Sequence, residues 1–340
     1  MSSPEIAFRA SRREFLGKAV CAAAAGALVI GGCQSGQPES KLPAKNATIG
    51  FLTAYPDDPA LPLWDQLSKR GWRRGDNLSV AYRQGNVSEF RALAAELVDL
   101  PVALIVTTAE APARAAKTVT DSVPIVMLSV SDALGAGLVA NSARPGGNIT
   151  GLSLLGPEMR VKTLDLLRDF VPGLSKVAAL WASAIPDSVR ETTRIKQVAQ
   201  ALGIKIDAYD AGTEERVRAA LWQMKYDPPE GMLVENLVAY STEPTRSNIL
   251  GGAEAMRIPA IYAARSWITY GGLMSYSPQS AAIYQRGAVY VDKILRGARP
   301  ADLPVEQPSV FDLVVNTSTL HALGLTMPPS VAEQVTEWLN

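Results

Sequence analysis

From residue 47 onward the chain alternates between two hydrophobic patterns. Short, β-branched apolar runs bounded by turn residues predict strands at 47–52, 78–83, 102–108, 124–130, 176–182, 204–210, 231–236 and 259–263. Between them, apolar residues three and four positions apart predict helices at 64–71, 88–100, 111–120, 157–170, 188–202, 213–225 and 245–256, with Ser88 as the N-cap of the second. The strand runs are continuously apolar, so both faces of each sheet should be covered, as in parallel α/β sheets. Two such series in succession predict an α/β fold of two doubly wound parallel-sheet lobes.

Glycine and proline mark the places where the chain changes lobe. ARPGGNITGLS (143–153), YGGLMSYSP (270–278) and LPVEQPSVFDLVVN (303–316) read as three extended connections, which together make a three-strand hinge. The expected division is 46–152 with 278–307 for the first lobe and 153–277 with 308–340 for the second.

Open parallel sheets bind ligands beyond the carboxyl ends of their strands, near the reversal of strand order. The predicted strand ends supply Tyr55, Thr108, Ser131 and Asp132 in the first lobe and Ser183, Asn236, Tyr262 and Ser275 in the second. Hydroxyl, amide and phenol groups of this kind suit a small polar molecule held from both sides. Each residue also has a plainer use as a turn or cap, and Ser131 and Asp132 could cap a helix starting near Leu134. The carboxylates Glu110, Asp132 and Glu235 favour a ligand with an ammonium group over an anion.

Composition narrows the function. The 340 residues carry 33 basic and 33 acidic side chains and are 47% hydrophobic, with no basic run of the sort that binds nucleic acid. His321 is the only histidine, and no GxSxG, P-loop, HExxH or CxxC motif is present. No catalytic centre, metal site or cofactor is therefore expected.

The first residues form a separate signal. Arg12 and Arg13 precede an apolar run over 19–30, which is too short to span a bilayer and reads as an export leader. The arginine pair resembles the twin-arginine signal, and Ile30, Gly31, Gly32 and Cys33 resemble a lipobox. Cleavage would leave an acylated Cys33, and residues 33–46, rich in Ser, Gly and Pro, would form a flexible tether. Cys21 and Cys33 are the only cysteines, so the body beyond the tether has no disulfide.

ARPGGNITG, GGLMSYSP, YVDKILRGARPADLPVEQP (290–308), FDLVVNTSTLHALGLTMPPS (311–330) and RALAAELVDL (91–100), in this order, resemble the bacterial ABC-transporter substrate-binding protein family of the tryptophan/tyrosine-binding type. The resemblance runs from about residue 47 to 337. It implies a type I periplasmic-binding-protein fold that closes on a small-molecule ligand between its lobes and delivers it to an ABC permease. A monomer is expected, attached to the membrane by the lipid on Cys33 alone, since no other stretch approaches the length of a membrane span. The chain departs from the family pattern at three turns, where it carries Thr107 to Glu110, Trp181 to Ser183, and Glu235 with Asn236. Two alternatives share the fold: a sensor that presents its closed form to a membrane signalling protein, and an exported enzyme.

Overall fold

The computed structural model describes residues 46–55, 60–154, 156–240 and 242–340. The leader, the twin-arginine pair, Cys33 and most of the tether lie outside the described residues. The first series runs β1 (Ala47–Thr53), α1 (Leu61–Lys69), β2 (Leu78–Gln84), α2 (Phe90–Val98), β3 (Leu104–Thr108), α3 (Glu110–Val119), β4 (Ile125–Val130) and β5 (Ile149–Ser153). Its five strands pair in the order β2-β1-β3-β4-β5, all parallel.

The alternation of side chains explains why these runs are apolar throughout. β1 sends Ile49 and Phe51 to one face and Leu52 to the other; β3 divides Leu104 and Val106 from Ile105, and β4 divides Val126 and Leu128 from Ile125 and Met127. One face packs on α1 and the other on α2 and α3. Each such side chain removed from water contributes about 1.5–3 kcal/mol.

The second series continues with α4 (Gly156–Phe170), β6 (Lys176–Trp181), α5 (Pro186–Ala201), β7 (Lys205–Asp210), α6 (Glu214–Met224), β8 (Gly231–Val234), α7 (Glu243–Ala255), β9 (Ala260–Tyr262), α8 (Ser266–Thr269) and β10 (Met274–Pro278). The chain then crosses back as α9 (Ser280–Leu295) and returns as β11 (Phe311–Asn316), α10 (Thr317–Ala322), α11 (Pro329–Ala332) and β12 (Glu337–Leu339). The second sheet is ordered β12-β11-β10-β9-β8-β6-β7. It is parallel except for β10 with β11. That exception follows from the crossing: β10 runs out of the sheet into the hinge, so the returning chain lies beside it in the opposite sense.

α9 follows a strand of the second sheet yet packs on the first. Ile283, Tyr284, Ala288, Tyr290, Val291 and Ile294 join the core that contains Phe51 and Leu128. Gly287 permits the approach, because a Cβ there would lie 2.6 Å from Leu128 Cδ2. Trp72 Nε1 donates to Asp292 Oδ1 at 2.8 Å and ties α9 to the end of the α1 hairpin. The third crossing is stitched to the edge of β5, where Glu306 N donates to Gly151 O at 3.0 Å and Ser153 N to Glu306 O at 2.9 Å.

Two local expectations need correction. The residue before α2 is Glu89, which makes no side-chain cap; Ser88 instead donates from its backbone N and its Oγ to Asn86 Oδ1, at 3.0 and 2.6 Å, inside a turn. No helix starts near Leu134. Asp132 Oδ1 accepts from Gly135 N at 2.8 Å in a turn that Gly137 closes at φ 66°, a conformation that stops helix propagation. Among the described residues no helix is long and apolar enough to cross a membrane.

Candidate functional site

Strand order reverses between β1 and β3 in the first sheet and between β6 and β8 in the second. A cavity of about 480 Å³ lies beyond the carboxyl ends of these strands and is lined from both lobes. The first lobe contributes Tyr55 after β1, Thr108, Ala109 and Glu110 after β3, and Ser129 and Ser131 at the end of β4. The second contributes Arg160 and Thr163 from α4, Asp187, Ser188 and Glu191 from α5, and Glu235 and Asn236 after β8.

Four of the eight residues singled out in the sequence meet here: Tyr55, Thr108, Ser131 and Asn236. Thr108 Oγ1 donates to Thr53 Oγ1 at 2.7 Å, which ties the ends of β1 and β3 together. Burial pushes the Tyr55 phenol above its ordinary value, so it stays protonated at neutral pH. The other four lie elsewhere. Asp132 closes the turn described above, and Ser183 Oγ donates to Asp210 Oδ2 at 2.5 Å on the exposed side of β7. Tyr262 is core, stacked on Trp267 with ring centroids 4.8 Å apart. Ser275 is fully buried near the start of β10. Position at a strand end does not decide whether a side chain faces the cleft; Tyr262 instead stands behind Trp267, which does line it.

Of the charged lining, Glu110 and Glu235 are legible in the sequence, whereas Arg160, Asp187 and Glu191 are not. Arg160 Nε donates to Glu191 Oε2 at 2.6 Å, and its Nη2 lies 3.7 Å from Glu235 Oε1. Glu235 also accepts from Ser188 Oγ at 2.5 Å and from Thr192 Oγ1 at 3.4 Å. Ser131 Oγ, from the first lobe, donates to Glu191 Oε1. Gly156 makes that contact possible, since a Cβ there would sit 2.0 Å from Ser131 Oγ. Burial, opposed by Arg160, pushes the Glu235 carboxyl up to about 7. A second group spans the lobes: Arg190 Nη2 donates to Glu110 Oε2 at 2.6 Å and to Asp187 Oδ1 at 3.1 Å, and Arg114 Nη2 holds Glu110 Oε1 at 2.6 Å. Burial first, then Glu191 and Glu110, push the Asp187 carboxyl up to about 8.

A signal for this lining exists in α5. Ser188, Glu191, Thr192, Ile195 and Ala199 are its buried residues, so polar and charged side chains continue the stripe that Ile195 and Ala199 begin. A charge on a buried helical stripe requires partners, and here the partners form the site.

A second part of the lining, also from the second lobe, is aromatic. Trp267 lies between Tyr262 and the edge of Tyr240, whose ring centroid is 6.2 Å away, and the Arg246 guanidinium sits 3.6 Å over the Tyr270 ring. Tyr240 is 1% exposed, lines the cavity, and its hydroxyl has no hydrogen-bond partner. Among the described residues no cluster of His, Cys, Asp and Glu is placed to hold a metal ion. The lining offers both charge-assisted hydrogen bonds and aromatic surface.

Residues 62–338 match the family model described as ABC transporter substrate binding protein. A tyrosine-binding protein from Clostridioides difficile is 23% identical over 292 residues, which cover 83% of this chain and 81% of that one. A solved structure of a conserved domain protein from Vibrio cholerae aligns with TM-score 0.78 and 26% identity over 86% of this chain and 100% of that one. The ABC domain from Streptococcus pneumonia, solved in complex with L-Trp, aligns with TM-score 0.79 and 23% identity over 87% and 100% of the two chains.

Proposed function

The chain belongs to the ABC transporter substrate-binding protein family, whose members bind solutes outside the cytoplasm and are not enzymes, and we propose that it captures a small amino-acid-like ligand for import. The observation that carries this reading is the cavity itself, walled by both lobes and lined by buried carboxylates together with Tyr240, Trp267 and Tyr270. The carboxylates and hydroxyls suit an ammonium group, and the aromatic wall suits an apolar or aromatic side chain. The similar proteins whose descriptions name tyrosine or L-Trp support the same class. Ligand contacts made to both lobes exist only in the closed state, so binding shifts the protein toward closure.

The proposal includes the route and the anchor. Export through the twin-arginine signal and acylation of Cys33 would leave the body tethered outside the cytoplasmic membrane, as a monomer beside its permease.

A thermal-shift and calorimetric screen of L-tyrosine, L-tryptophan, other amino acids and simple amines tests the reading. A ligand at about 100 times its dissociation constant adds about 2.7 kcal/mol to stability. Absence of any shift across amino acids, with saturable binding of a sugar or a multiply charged anion instead, rejects it.

A further inference from the structure

Glu110 and Asp187 come from different lobes and meet at the cleft. Glu110 opens α3 in the first lobe and is 7% exposed; Asp187 lies in the first turn of α5 in the second. Burial first, then the nearby Glu191 and Glu110, raise the Asp187 carboxyl, so Asp187 and Glu110 meet with one proton favoured on Asp187. Arg190, one helical turn after Asp187, places a single nitrogen against both, at 2.6 and 3.1 Å. That is the arrangement a ligand ammonium would adopt between the same two groups.

The other charges around this point favour a cation as its occupant. Glu191, on α5, adds negative charge next to Asp187, and Arg160 is taken up between Glu191 and Glu235. Arg114, on α3, holds the far oxygen of Glu110. Elsewhere in the lining Arg265 is paired with Glu337, and Arg246 is paired with Glu243 and lies over Tyr270. Arg190 itself is poorly housed: its Nε is buried without a hydrogen-bond partner, while a third of its side chain remains exposed. A cation held by one nitrogen, with another unsatisfied and solvent beside it, is easily displaced.

We propose that Glu110 and Asp187 form the receptor for the ligand's ammonium group, and that Arg190 is a tethered occupant of that position, clasping the lobes until the ammonium displaces it. The inference rests on the reading that the cleft takes an amino-acid-like ligand. Arg190 then acts as a specificity-determining residue in two ways. It raises the threshold for weak amines, because a competitor on the same helix has a high effective concentration. It also balances Glu110 when the ammonium is away, so that the lobes meet without an unpaired buried charge.

The test uses the exported chain without its leader and three probes: tyramine, L-tyrosine and 3-(4-hydroxyphenyl)propionate, which differ only in carrying the amine, both groups or the acid. Calorimetry should show wild-type protein binding the two amines and not the acid, and Arg190→Gln binding both amines about tenfold tighter. Arg190→Lys, which keeps a tethered cation, should behave as wild type and shows that the site is still folded. In small-angle scattering without ligand, Arg190→Gln should have a larger radius of gyration. Binding of the acid equal to that of L-tyrosine, or amine binding by Arg190→Gln that is unchanged or weaker, overturns the receptor while leaving the amino-acid reading intact. An unchanged radius overturns the clasp. No binding of any probe to any variant overturns this inference, and the amino-acid reading falls only if the wider screen also fails.

Discussion

Arg160 Nε donates to Glu191 Oε2 across 2.6 Å with only 13% and 11% of the two side chains exposed. Burial weakens the guanidinium's hold on its proton, but Glu191 and Glu235 outweigh it and hold Arg160 above its ordinary value. One cation therefore neutralises a floor made of α4, α5 and β8. Replacing Arg160 by Met keeps the packing volume and strands two buried carboxylates.

Arg160→Met should therefore destabilise the protein by about 3–5 kcal/mol, the range for breaking a buried ion pair by removing one partner. Urea unfolding reads this as a fall in midpoint. Adding Glu235→Gln to Arg160→Met should recover part of the loss, since the two residues share one network. A loss under about 1 kcal/mol would mean that water, and not Arg160, balances these carboxylates.

Ala109 sits between β3 and α3 at φ 73° and ψ 172°, a region that side-chain-bearing residues rarely enter. Its N donates to Leu128 O at 3.0 Å, and the strained turn is what aims Glu110 at the cleft. Ala109→Gly should raise stability by about 1 kcal/mol, because relief of strain outweighs the added freedom of the unfolded chain. A lower melting temperature for Ala109→Gly would show that the backbone is not strained there.

Strand and helix positions were legible because each buried strand is a short run such as IVMLSV and each helix shows its apolar period. The crossings were legible because glycine and proline interrupt those runs. Side-chain direction at the strand ends was not. Tyr55 and Tyr262 look alike in sequence, yet one lines the cleft and the other backs Trp267. The antiparallel β11 was hidden for a similar reason, since its direction depends on where β10 leaves the sheet. Asp187, Arg190 and Glu191 read as an ordinary charged helix start until α5 is seen to turn that face toward the first lobe.

Cys33 lies outside the described residues, so its role is tested in cells. Cys33→Ser should release a soluble exported protein, because the apolar run at 19–30 is too short to hold a bilayer. Acyl chains contribute about 0.8 kcal/mol per buried CH₂, and several of them make a stable anchor. Replacing Arg12 and Arg13 together by Lys should instead leave precursor in the cytoplasm. A Cys33→Ser protein that still sediments with membranes rejects the lipid anchor.

Stability should fall as pH rises between about 5 and 9. Burial lifts Asp187 to about 8 and Glu235 to about 7, whereas in the unfolded chain they return to 3.8 and 4.5. Within that window the folded protein binds more protons than the unfolded one, so the slope of unfolding free energy with pH is negative. The contribution is fully present below the unfolded values and lost as pH passes the folded ones. Carboxylates held low by their partners, such as Glu306 against Arg286, lose their contribution only in acid and do not shape this window. Urea midpoints at one-unit steps from pH 5 to 9 measure the effect. Asp187→Asn should flatten the slope most strongly between about pH 5 and 7, where the folded Asp187 keeps a proton that the unfolded one has lost, because the amide has no proton to lose. A wild-type slope that is flat or positive, or one that Asp187→Asn leaves untouched, would show that the two carboxyls titrate as they do in water.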